Sequence, residues 1–87
     1  MQISVEISMY PLRDEFIPAI SDFIEVLNRS DAVEVKTNSM STQLFGEFDQ
    51  VMALLQTGIK YSFERYGKVV FATKFLHGDT RLASGYE

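Results

Sequence analysis

From Ile3 to Met9 apolar residues occupy every second position, Ile3, Val5, Ile7 and Met9, with Ser4, Glu6 and Ser8 between them. This is the two-residue period of a strand with one buried face, and Tyr10-Pro11 closes it. The period then changes. Phe16, Ile17, Ile20, Phe23, Ile24 and Leu27 fall three and four residues apart, which predicts an amphipathic helix. Pro18 has no amide hydrogen and fits only a first turn, so the helix is expected to start near Phe16 or Ile17. After the turn-rich Asn28-Arg29-Ser30-Asp31, Val33, Val35 and Thr37 alternate with polar residues in a short second strand, and Met40 to Phe45 makes a third. Between them Asn38-Ser39 is expected to form a hairpin turn, using the positive φ that asparagine tolerates. Gly46-Glu47-Phe48-Asp49 leads into a long helix with Val51, Met52, Leu55, Ile59, Phe63 and Tyr66 on one side and Gly67 as its cap. Gly58 within that helix costs about 1 kcal/mol against alanine, which suggests close packing against a neighbour unless it is merely tolerated. Lys68 to Leu76 reads as the last strand, largely apolar on both faces, and Gly78 to Glu87 as an aperiodic tail that a partner would order.

The order strand, helix, strand, strand, helix, strand predicts a ferredoxin-like α+β fold. In this βαββαβ sandwich two helices cover one face of a four-stranded antiparallel sheet. Residues 1–77 are expected to form the single domain, with 78–87 as its C-terminal tail. The second sheet face is left open. Alternation assigns to it Ser4, Glu6 and Ser8 from the first strand, Ser41, Gln43 and Phe45 from the third, and Val70, Ala72, Lys74 and Leu76 from the fourth.

Composition narrows what such a face can do. With 87 residues and 46% hydrophobic content the chain supports one core with little to spare, so self-association into a dimer or tetramer is expected. There is no cysteine and a single histidine, which excludes disulfides and thiolate metal sites and leaves zinc almost without ligands. No metal and no cofactor are expected. The net charge of -4 argues against nucleic acid as partner, and an RNA-reading sheet would need more open-face aromatics than Phe45. The N-terminal stretch lacks a basic region and alternates, so it reads as a strand and not as a signal peptide. No apolar run approaches the roughly 20 residues of a membrane span. A cytoplasmic protein whose ligand is neutral or cationic is the expectation.

Glu6 is the sharpest candidate for chemistry, because a carboxylate in a central strand needs a partner. A cross-strand pair with Lys74 is the structural alternative to a ligand contact. Thr42 and Met40 point by parity toward the core, the Thr42 hydroxyl satisfied by backbone. Asn38 is first a turn residue, and Tyr10 is a rim aromatic able to stack on a flat ring. His77 and Asp79 form no convincing acid-base pair without a nucleophile. Arg13 and Asn38 resemble the Arg and Asn of acylphosphatases, but "YPLRDEFIP" lacks a glycine-containing anion loop, so hydrolysis of acyl phosphates is a remote alternative. No catalytic residue is assigned.

The strand end "ISMYPL", the hairpin-to-helix segment "NSMSTQLFGEFDQVM" and the last strand "KVVFATKF" together resemble the YkoF-like thiamine-binding family of small ferredoxin-like proteins. Met40, Thr42, Leu44, Gly46, Glu47 and Asp49 carry the match, whereas Asn38-Ser39 stands where many members have Gly-Pro and Ser41 where glycine is common. The resemblance implies non-enzymatic binding of thiamine or its hydroxymethylpyrimidine part, serving transport, salvage or sensing. On that reading Glu6, Ser8, Tyr10, Asn38, Ser41, Thr42 and Gln43 line the ligand site, and parity lets only one of Ser41 and Thr42 face it. The competing reading is an interaction module whose open face is buried in a homo-oligomer without any small ligand.

Overall fold

The computed structural model describes residues 1–82, and its elements follow the two periodicities of the chain. They are β1 (Gln2–Pro11), α1 (Ile17–Asn28), β2 (Glu34–Thr37), β3 (Thr42–Glu47), α2 (Phe48–Tyr66) and β4 (Val69–His77). The strands form one antiparallel sheet in the order β2-β3-β1-β4, the ferredoxin-like α+β arrangement. Register pairs Val5 with Leu44 on one side and Phe75 on the other, so the alternating apolar set of β1 lies at the centre of the sheet. Ile3, Val5 and Ile7 pack with Leu44, with Phe23 and Leu27 of α1, and with Val51 and Leu55 of α2. Both helices therefore cover the same face. Among the described residues no helix is long and apolar enough to cross a membrane.

The helices dock through small residues. Val51, Leu55, Gly58 and Ser62 are the buried positions of α2, and Ser62 Oγ donates to Gly58 O at 2.9 Å. A Cβ at Gly58 would stand 2.9 Å from Phe23 Cε1 and 3.2 Å from Leu27 Cδ2, so the glycine serves close approach of α1. The helix begins where the Glu47 carboxylate accepts from Asp49 N, and ends at Gly67 with φ 75°. On α1 the buried stripe is Ala19, Phe23, Val26 and Leu27, and the expected Phe16 and Ile17 are exposed. At about 100° per residue Ile17 lies some 200° around the axis from Ala19, on the solvent side, and Phe16 precedes the helix. Met52 and Phe63 likewise emerge at the margin of the core, although Phe63 reaches the edge of the Phe71 ring, 5.7 Å between centroids.

The hairpin corrects a second expectation. No non-glycine residue among those described has positive φ, and β3 starts at Thr42 instead of Met40. Asn38 uses its side chain: Oδ1 accepts from Met40 N at 2.8 Å and Ser41 N at 2.9 Å, while its own N–H donates to Ser41 O. This Asx-type turn lifts Met40 out of the strand, so it is 86% exposed and not packed in the core. Thr42 is buried as expected, but its hydroxyl is met by a side chain and not by backbone, 3.2 Å from the Thr37 hydroxyl across the hairpin.

Beyond β4 the chain turns over the open sheet face. Gly78 N donates to Gln2 O, and the Ser4 hydroxyl donates to Gly78 O and accepts from Thr80 N. Residues 78–82 thus form a strap fixed within the chain itself; the rest of the expected tail, residues 83–87, lies outside the described residues.

Candidate ligand-binding face

Register brings the polar residues of the open face into rows across the sheet. Glu6 lies between Gln43 of β3 and Lys74 of β4. Its two carboxylate oxygens have different partners: Ser41 Oγ donates to Oε2 at 3.0 Å, and Lys74 Nζ stands 3.6 Å from Oε1. The cross-strand pair considered from sequence is therefore present beside the Ser41 bond. Both members are solvent-accessible, and exposed pairs contribute about 0–1 kcal/mol, so Glu6 can exchange this partner for another cation or donor at little cost.

A cleft of about 300 Å3 opens next to this carboxylate, lined by Glu6, Ser8 and Tyr10 of β1 and by the hairpin tip Asn38 to Ser41. Five of the seven sequence-predicted residues, Glu6, Ser8, Tyr10, Asn38 and Ser41, meet here. Ser8 Oγ faces Met40 O at 3.4 Å, and the Tyr10 ring stands exposed at the rim. Thr42 faces the other way. It lines a narrower cleft of about 140 Å3 between the hairpin and α1, with Ile20 and Ile24 among its apolar walls. Gln43 lines a third depression of about 160 Å3, beyond the Glu6 and Lys74 pair, with Ser4, Phe45 and Thr80. Met40 and Ser39 are lining residues that parity alone missed, because the Asx turn carries them out of the strand; Asn38 followed by two small polar residues was the available signal.

The remaining candidates separate. Asp79 pairs with Arg81 and not with His77, and the Arg81 guanidinium holds its carboxyl down at about 2. Arg13 lies over the Tyr66 ring at the end of α2, 5.3 Å from its centroid, whereas the Asn38 carboxamide oxygen is committed to the hairpin. No group of three metal-ligating side chains occurs among the described residues.

The family model for thiamine-binding proteins matches residues 5–77. The chain belongs to the thiamine-binding protein family. Within this family fold, a Streptococcus pneumoniae protein is similar at 23% identity and a TM-score of 0.85, covering 97% of this chain and 94% of its own. A hypothetical protein of Methanocaldococcus jannascii is similar at 25% identity and a TM-score of 0.75, covering 85% and 77%. A Thermotoga maritima protein, a candidate in thiamine biosynthesis or salvage by its name, superposes at a TM-score of 0.81 with 17% identity, covering 100% and 90%. At 17 to 23% identity the likeness is one of fold. Among curated proteins none matches the chain.

Proposed function

We propose that this thiamine-binding family member binds thiamine or its hydroxymethylpyrimidine part reversibly, without transforming it, in the cleft beside Glu6. The observation that carries the reading is a carboxylate held by Ser41 in a central strand, at the wall of an open cleft with hydroxyl, amide and aromatic neighbours. An aminopyrimidine offers an N–H donor and ring-nitrogen acceptors. Glu6 accepts the former, and the Ser8 hydroxyl, 3.4 Å from Met40 O, can turn to donate to the latter, while the Ser41 hydroxyl keeps its single proton on Glu6. Tyr10 supplies a ring face at the rim. The cleft, about 300 Å3, is at the lower end of small-molecule sites, which favours the single pyrimidine ring as the part held. A cationic thiazolium is compatible with the net charge of -4.

Self-association belongs to the same proposal. Val70 and Ala72 are exposed on the open face beside the cleft, so pairing of two such faces would bury them and narrow the entrance to the site. Titration calorimetry with thiamine and with hydroxymethylpyrimidine tests the binding. Saturable heat with either compound, and recovery of the compound unchanged, is expected. No heat and no thermal shift at millimolar concentration of both would leave the interaction-module reading in its place.

A further inference from the structure

Phe45 points away from the helices, yet only 5% of its surface is exposed. The strap covers it. Arg81 Cζ lies 4.9 Å from the ring centroid, and Nη1 stands 3.1 Å from Glu34 Oε1. On the other side Nε and Nη2 donate to Asp79 Oδ1 and Oδ2 at 2.8 and 2.5 Å. One aromatic face and two carboxylates surround a single guanidinium, the surroundings that select a flat, delocalised cation with several N–H donors. Lys36 also faces this ring, 6.0 Å from its centroid, and pairs with the second oxygen of Glu34.

The walls of this cage are held without Arg81. Glu34 and Phe45 are register partners across β2 and β3. Asp79 sits between Gly78, anchored on Gln2 O, and Thr80, anchored on the Ser4 hydroxyl. Ser4 is itself buried and uses its donor and both acceptor positions on the strap, with Thr80 Oγ1 as the third partner at 3.3 Å. The depression of about 160 Å3 lined by Phe45 and Thr80 adjoins the cage and gives a small ligand room to approach.

We propose that this cage is a binding site for guanidinium-class cations, occupied in cis by Arg81, so that the strap's own side chain and an external ligand compete for it. The cage itself is independent of the thiamine reading, since Glu34, Phe45 and Asp79 do not line the cleft beside Glu6; Glu6 and Gln43 border only the approach to it. A tethered side chain competes at an effective concentration in the millimolar range, which makes the intact protein a weak binder and the protein without Arg81 a better one.

Methylguanidinium titrated into the wild type and into Arg81→Ala, followed by the amide resonances of Phe45 and Thr80, tests this. Arg81→Ala is expected to bind about tenfold more tightly than the wild type, the factor for a cage that Arg81 fills roughly nine-tenths of the time. Methylammonium, which lacks the planar fork, is expected not to substitute, and Glu34→Gln added to Arg81→Ala is expected to remove the gain. If the strap loosens in Arg81→Ala and methylguanidinium restores protection of the Thr80 amide, the site is equally supported. Equal affinity in both proteins, no binding by Arg81→Ala, or a strap that stays detached in the presence of the cation would overturn it.

Discussion

At the scale of single residues, Glu6 is the position where fold and proposed chemistry meet. Its carboxylate is half-exposed and tied by Ser41, so replacing it by glutamine keeps the size of the side chain and removes the charge. Glu6→Gln is expected to weaken binding of thiamine or hydroxymethylpyrimidine by about 1.5 to 3 kcal/mol, the scale of a hydrogen bond to a charged group, with the fold intact. Calorimetry on both proteins measures the difference; unchanged affinity would remove Glu6 from the site. Asp79 makes a second, pH-dependent prediction. Its carboxyl lies at about 2 against an ordinary value of 3.8, mainly through hydrogen bonds from Arg81. A carboxyl depressed in the folded state stabilises it above the ordinary value and loses that contribution as pH falls through the folded one. The Arg81 end of the strap is therefore expected to hold above about pH 4 and to release between about pH 4 and 2, seen as a shift of the Arg81 amide resonance, while Gly78 and Thr80 stay anchored on Gln2 O and Ser4. In Arg81→Ala, where most of the depression is gone, this pH dependence should shrink.

At the scale of elements, what the sequence revealed depended on whether large residues marked the contact. The alternation of Ile3, Val5, Ile7 and Met9 placed β1 and its two faces correctly, and with them Glu6 and Ser41 on the open side. Helix faces were read less well, because Ala19 and Ser62 are buried but small and a search for large apolar side chains passes over them; Gly58 was legible, as a glycine inside a helix. The Asn38 turn was legible as a turn, but one asparagine can bend the chain by positive φ or by a side-chain acceptor, and only the fold shows which. The strap was illegible for a further reason: its partners Ser4, Glu34 and Phe45 are remote in sequence, and no period marks them. The glycine contact gives a direct test. Gly58→Ala gains about 1 kcal/mol of helix propensity but forces a methyl group onto two core side chains, and overpacking costs about 1 to 3 kcal/mol. Urea denaturation is expected to show a net loss of up to about 2 kcal/mol on these figures, and a more stable variant would show that α1 yields easily.

For the whole molecule, the exposed apolar residues are concentrated on β4 and its surroundings. Val70 is 49% and Phe75 56% exposed, on opposite faces of a strand that has only one neighbour in the sheet. Light scattering is expected to find a dimer or tetramer at tens of micromolar, roughly the weak end of specific association. A monodisperse monomer there would count against the proposed pairing of open faces, and Val70→Lys is expected to shift an oligomer toward monomer by placing a charge in that contact. The position of β1 has another consequence, in time and not in space. Ile3, near the start of the chain, is paired with Gly46 and with His77, so the middle of the sheet cannot close until nearly the whole chain is available. A nascent chain ending at Gly67 would carry β1 paired with β3 on one side only, its other edge open and Val5 and Ile7 lacking their β4 neighbours. Non-local closure of this kind slows folding, so the newly made protein passes through a stage in which its central strand is the part most open to misassociation.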